Sequence, residues 1–232
     1  MAEEYVIEKA TLTAIADSIR AKKGTTADIV PENMPEEIAS IEGGGGGGEL
    51  DAFLDGSLTE LTSNAENVRD HAFYLASTLT KIELPLAISA SGYAFTGCEK
   101  LVNIYCPNLQ KVGTNAFESC KLLKKIDLPL CESLAAAVFR FCYSLKTVLL
   151  RNDSVCSLAA VSAFYQSYHF HGTVNATYNP DGLKDGYIYV PRSLVDSYKA
   201  ATNWSTFADQ FRALEDYTVD GTITGELDET KI

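Results

Sequence analysis

The sequence predicts an α/β repeat: a short solenoid of 22-residue turns, preceded by a small helical hairpin and closed by a helical C-terminal cap. Three observations carry this reading. Phe73, Phe95, Phe117 and Phe139 stand 22 residues apart, as do Leu79, Leu101, Leu123 and Leu145. Three further columns keep the same step: Ile82, Ile104, Ile126 and Val148; Leu84, Cys106, Leu128 and Leu150; Ala76, Cys98, Cys120 and Cys142. Pro85, Pro107 and Pro129 follow three of the predicted strands, and Arg151 stands in the fourth place. Columns in one register mark stacked turns that share a core none could bury alone.

Residues 1–42 form an N-terminal helical segment for anchoring or assembly. Leu12, Ile15, Ala16 and Ile19 fall on one helical stripe, with Thr11 or Thr13 as the cap and Lys22-Lys23-Gly24 as the stop. A second short helix is expected from Met34 to Ile41, with Pro35 in its first turn. This hairpin is too small to bury its own stripe, so it is expected to pack on a partner, a symmetry mate or the repeat domain. Gly43–Gly48 is an unbroken glycine run and reads as a flexible linker.

The repeat domain with its caps spans 49–215. Residues 49–67 read as a degenerate first turn, with Phe53, Leu58 and Leu61 near the expected spacing. In each regular turn the Leu-x-x-Ile-x-Leu-Pro stretch is the strand, and alternation directs Ile82 and Leu84 inward and Lys81 and Glu83 outward. The Ala-Phe segment before it is expected to form a short helical turn on the convex side. Residues 155–215 break the period. Ile188-Tyr189-Val190-Pro191 restates the strand, and Ser193 to Asp196 opens a helix through Tyr198 as a variant capping box. Trp204, Phe207, Phe211 and Leu214 then follow helical spacing over the open end of the core. The acidic, threonine-rich segment 216–232 is either a loose tail or a small hairpin turning at Asp220-Gly221.

The repeat reads V-x-x-x-A-F-x-x-C-x-x-L-x-x-I-x-L-P, and Val112, Ala116, Phe117, Cys120, Leu123, Ile126, Leu128 and Pro129 fit all of it. Over about residues 65–215 this resembles the BspA-like, treponemal-type leucine-rich repeat family. The closing stretch from Tyr187 to Pro191, with Ser197-Tyr198-Lys199 and Asn203-Trp204, is similar to that family's C-terminal cap. The resemblance implies a right-handed, curved leucine-rich-repeat solenoid that binds protein or glycan and is not an enzyme. A second, shorter resemblance lies in the head. Leu12 to Arg20, Lys23-Gly24-Thr25 and Met34 to Ala39 are similar to the N-terminal region of tail-associated proteins from phages and prophages of Gram-positive hosts. It implies a virion appendage, with the head docked on other virion proteins and the repeat domain displayed.

Net charge is −12 with a pI of about 4.7, which disfavours nucleic acid and anionic membrane as partners. The acidic start Met1-Ala2-Glu3-Glu4 does not read as a secretion signal, and no apolar run is long enough for a membrane helix. Synthesis is therefore expected in the cytoplasm, which fits the virion location that the resemblance of the head implies. The Asn152, Asn175 and Asn203 sequons then read as chance.

No catalytic motif emerges. The glycine run lacks the Lys-Ser/Thr ending of a phosphate loop, and no G-x-S-x-G or cofactor fingerprint is present. Cys98, Cys120 and Cys142 share a column and Cys106 replaces a strand leucine, so all four read as core; no C-x-x-C pair offers zinc ligands. Disulfides between neighbouring turns are geometrically imaginable, but cytoplasmic synthesis argues against them. His169 and His171, on one face of a strand, lack a third metal ligand; His71 reads as surface or turn.

What remains is surface. The outward strand positions form two rows, Lys81, Asn103, Lys125 and Thr147 beside Glu83, Tyr105, Asp127 and Leu149. Their mix of charge, amide and aromatic suits recognition, and equally a solvated face with no ligand. Phe164, Tyr165, Tyr168, Phe170, Tyr178 and Tyr187 read chiefly as cap core, with sugar stacking as the alternative. The expectation is a non-enzymatic virion protein for host-surface attachment, a homotrimer through the Leu12–Ile19 stripe. The alternatives are a bacterial adhesion or interaction protein with no virion role and a glycan-degrading tip.

Overall fold

The structure is a computed structural model and describes residues 58–232. The predicted helical hairpin, the glycine linker and Phe53 lie outside the described residues.

Two strips of parallel strands run along the stack. One is built from three-residue strands, β1 (Glu60–Thr62), β3 (Lys81–Glu83), β5 (Asn103–Tyr105), β7 (Lys125–Asp127) and β9 (Thr147–Leu149), then β11 (Tyr187–Val190) and β12 (Phe211–Ala213). It divides into the sheets β1-β3-β5 and β7-β9-β11-β12. The other is a five-stranded sheet of two-residue strands: β2 (Asn67–Val68), β4 (Ser89–Ala90), β6 (Lys111–Val112), β8 (Ser133–Leu134) and β10 (Ser157–Leu158). This second sheet has no counterpart in the sequence reading, because two residues carry no alternation to detect. Each of its strands still sends one apolar side chain inward: Val68, Ala90, Val112, Leu134 and Leu158 are buried.

Register follows the repeat where the repeat is regular. Ile82 pairs with Ile104 and Ile126 with Val148. The first turn is one residue short, since Leu61 pairs with Ile82, which explains its out-of-step spacing. The insertion falls between β10 and β11 and leaves the ladder register intact, so that Ile188 takes the next place on Val148.

The predicted short helical turn of the Ala-Phe segment is not helical. Even-numbered amides close local i→i+3 turns, as in Ala72 to Arg69 and Tyr74 to His71. The alternating amides His71, Phe73 and Leu75 donate instead to Gly92, Ala94 and Thr96 of the next turn. Aiming the backbone across the gap requires left-handed residues at two places per turn. They are His71, Tyr93, Asn115 and Ala137, and then Leu75, Gly97, Ser119 and Phe141, with φ between 55° and 77°. Seven of these eight are not glycine, at about 1–2 kcal/mol each; the inter-turn bonds offset that strain.

Inside, Phe73, Phe95, Phe117 and Phe139 stack nearly parallel at centroid distances of 5.5, 5.0 and 5.9 Å. The cysteine column lies beside them. Cys98, Cys120 and Cys142 donate Sγ–H to the carbonyls of Phe73, Phe95 and Phe117, and all three are fully buried. Burial pushes the Cys98 thiol up to about 12, and Cys106 likewise to about 12. These thiols behave as small apolar groups.

The cap differs from its expected helical form. α1 (Tyr168–His171) lies in the insertion and α2 (Val195–Ala200) follows a 3-10 turn at Arg192–Leu194. Ser193 sits inside that turn, and no side-chain bond caps α2, so the capping box does not form. Trp204–Gln210 is 3-10 helix, and Phe211 begins β12 rather than continuing a helix. The helical spacing is reproduced by a 3-10 turn followed by a strand, because β11 presents a free edge on which Ile188 pairs with Phe211. Trp204, Phe207 and Phe211 are buried as expected. Trp204 Nε1 donates to Cys156 O at 2.6 Å, and Cys156 N donates to Tyr198 Oη at 2.8 Å.

His169 and His171 lie on α1, not on a strand. His169 is buried between Asp185 Oδ1, 2.6 Å from Nδ1, and the Tyr178 carbonyl, 2.9 Å from Nε2; His171 Nε2 lies 3.0 Å from Phe164 O. No cluster of three metal-ligand side chains occurs among the described residues. Phe164 and Phe170 are core, whereas Tyr165 is exposed. His71 sits in a turn, stacked 4.8 Å from Tyr93.

Candidate binding face

Pleating sends alternate side chains of the three-residue strands out of the core, so the ladder itself builds two rows. Lys81 lies beside Asn103, and Glu83 beside Tyr105. Lys125 lies beside Thr147, and Asp127 beside Leu149. The strand β11 extends them, with Tyr187 beside Thr147 and Tyr189 beside Leu149. Tyr189 was not among the residues singled out from sequence, although the alternation of Tyr187-Ile188-Tyr189 carried the signal.

The two halves of the face have different surroundings. Across β3 and β5, Asn103 is exposed and Tyr105 is 56% exposed. Lys81 and Glu83 pair at 2.7 Å on the same strand. The hydrogen bond to Glu83 raises the Lys81 ammonium above its ordinary value, and the same bond holds the Glu83 carboxyl below its own.

Across β9 and β11 the face is covered. Leu149 and Tyr189 are buried with Leu214, against Tyr187, Tyr217, Ile223 and Leu227. Thr147 is only 8% exposed. Leu149 and Thr147 are therefore not the exposed contacts the alternation predicts. The cover is the C-terminal segment, which closes on itself as a wider hairpin than one turning at Asp220-Gly221 alone: Thr218 bridges Leu227 and Val219 N donates to Glu226 O, leaving residues 220–225 as the loop.

Arg151, the residue in the fourth proline's place, holds this cover down. Its guanidinium pairs with Asp127, with Nε 3.0–3.1 Å from both carboxylate oxygens and Nη2 2.9 Å from Oδ2. Nη1 donates to the carbonyls of Ile223 at 2.7 Å and Gly225 at 3.2 Å. Proline offers neither donor nor reach, so this one departure from the repeat ties strand face to tail. Lys125 completes the contact by pairing with Glu229.

Between the open and covered halves lies a groove of about 560 Å³, within the size range of ligand sites. Its lining includes Lys81 from β3, Asn103 and Tyr105 from β5, Lys125 and Asp127 from β7, Tyr187 from β11 and Glu229 from the C-terminal segment. At its end Asp185 accepts from Lys146 at 2.8 Å and pairs with His169. Burial works to raise the Asp185 carboxyl, but the bonds from Lys146 and His169 outweigh it and hold the group below its ordinary value. The lining offers charges of both signs, an amide and phenol rings, which suits reversible recognition; the expected assembly stripe Leu12, Ile15, Ala16 and Ile19 lies outside the described residues.

The BspA type leucine rich repeat region matches residues 51–174 in six copies, more than half of the chain. The match leaves residues 1–50, and with them the resemblance to phage and prophage proteins, without support. Among curated proteins none is significantly similar. Solved structures that resemble the chain include three leucine-rich repeat proteins. A leucine rich repeat protein of T. pallidum is 26% identical with a TM-score of 0.40, over 48% of this chain and 49% of its own. A leucine-rich repeat protein of Bacteroides ovatus is 24% identical with a TM-score of 0.49, over 68% and 36%. A leucine rich cell surface protein of Faecalibacterium prausnitzii is 19% identical with a TM-score of 0.41, over 57% and 39%. The chain spans about a third to a half of the length of these solved chains.

Proposed function

The chain belongs to the BspA-type leucine-rich repeat family, and from that premise we propose that it is a non-enzymatic recognition protein whose ligand is held in the groove across the strand face. One observation carries the reading: Asn103 and Tyr105 stand exposed in a groove that Glu229 and Ile232 of the chain's own C-terminal segment also line. An exposed tyrosine in a polar setting is suited to contribute binding energy, because its ring offers contact area at low entropic cost. The ligand class is a surface protein or glycan.

The finer reading is a phage virion appendage for host attachment, docked through residues 1–42 on other virion proteins and assembled as a homotrimer. Its support is the resemblance of Leu12–Arg20 and Met34–Ala39 to tail-associated proteins. Mass spectrometry of purified particles tests it: the chain is expected in virions, and its absence leaves a bacterial adhesion or interaction protein instead. The binding reading is tested separately by measuring retention of the full chain on host-wall polysaccharide and surface protein. Tyr105→Ala is expected to weaken retention about tenfold; unchanged retention removes the groove as the site.

A further inference from the structure

Cys131 and Cys156 stand outside the column of Cys98, Cys120 and Cys142. Cys131 belongs to an inner column with Ala87 and Leu109, each 22 residues before the next. It lies two residues before Ser133, and Cys156 lies one residue before Ser157, the partner of Ser133 on β10. The two side chains thus meet across one inter-turn gap, both fully buried, with their Sγ atoms 3.5 Å apart. The column cysteines aim their thiols at carbonyl oxygens. Cys131 and Cys156 also reach carbonyls, those of Ser133 at 3.6 Å and Ser157 at 3.7 Å, but each has in addition the other's sulfur within contact. A disulfide needs an Sγ–Sγ distance of about 2.05 Å, so a small rotation of the two side chains closes the gap.

We infer that Cys131 and Cys156 are a dithiol–disulfide pair that cross-links the last regular turn to the cap by exchange with a small disulfide such as oxidised glutathione. One protein thiolate attacks a sulfur of the small disulfide, forming a mixed disulfide and releasing one small thiol. The second protein thiolate attacks the protein-bound sulfur, forming the Cys131–Cys156 bond and releasing the second small thiol. The protein loses two S–H bonds and two electrons, and the small disulfide gains both. The hydrogen bond to Cys131 and then burial push the Cys156 thiol up, so exchange proceeds during folding or through local opening of the cap. The link would fix Cys156 while its backbone holds Tyr198 and Trp204, making the cap's attachment depend on the redox environment.

The test uses the full chain. It is refolded in a glutathione redox buffer and, separately, exposed folded to oxidised glutathione, then alkylated and digested with trypsin without reduction. The segments 126–140 and 152–184 released by cleavage after Lys125, Arg140, Arg151 and Lys184 carry Cys131 and Cys156 as single cysteines. The expected product joins these two peptides with the loss of two hydrogens, while Cys98, Cys106, Cys120 and Cys142 are alkylated. The linked protein is expected to unfold about 5–10 °C higher than the reduced one. Cys131→Ser is expected to abolish the linked product. Six alkylated cysteines under both regimes, or a link between other cysteines, overturns the assignment. A link that leaves the unfolding midpoint unmoved overturns its role in holding the cap.

Discussion

The strand face can be compared with itself. β3 and β5 and their successors β9 and β11 share one backbone geometry, yet Tyr105 is 56% exposed while Leu149, two turns on in the same row, is fully buried. Backbone alternation decides only that a side chain leaves the solenoid core. What lies against it decides whether it meets water. Here the deciding group is distant in sequence: Arg151 reaches carbonyls 72 and 74 residues away.

Leu149→Ala should break the covered half most severely. Removing a buried leucine from the small cluster with Tyr189 and Leu214 is expected to cost about 2–5 kcal/mol, read from denaturant unfolding. Arg151→Ala should cost about 2–3 kcal/mol, because Asp127 and two tail carbonyls lose their donor together. It should also open the 216–232 segment to proteolysis, and an undigested tail would show that the apolar contacts alone hold it.

Asp185 supplies a pH handle at the end of the groove. Its folded pKa is lowered, so its stabilisation is complete above the ordinary carboxylate value of about 4 and is lost as pH falls through the folded value. Asp185→Asn is expected to cost about 1–2 kcal/mol at neutral pH and to flatten the stability profile below pH ~4. A profile as steep as that of the unsubstituted chain would assign the acid sensitivity elsewhere. Tyr105→Ala completes the comparison with the smallest effect: under about 0.5 kcal/mol in stability. A larger loss would mean that the open half is covered as well.

The repeat was legible because its columns are core columns. A change at Phe117 or Leu123 would leave a cavity, so sequence and packing carry the same period. The two rows of the face were legible for the same reason, since they are what alternation leaves over. The tail's cover was not legible as a contact, because nothing local in 216–232 names its target. Two signs of it did stand in the sequence: Arg151 where proline recurs, and Leu149 in a row otherwise filled by Glu83, Tyr105 and Asp127. Phe211 was misread because a 3-10 turn followed by a strand imitates helical spacing when an open edge is waiting. The left-handed columns left no glycine signature except at Gly97.

Those columns also give the stack a direction. On the Ala-Phe side of the regular turns, the inter-turn bonds run one way: the amides of residues 71, 73 and 75 give to carbonyls at 92, 94 and 96, and those of 93, 95 and 97 give to 114, 116 and 118. A cut between turns would therefore create two chemically unlike faces along this side, one bristling with donors and the other with acceptors. Units of this kind can add head to tail but not head to head. A grafted extra turn would have to arrive in the same orientation to be accepted, much as a brick with studs above and sockets below fits a wall in only one way.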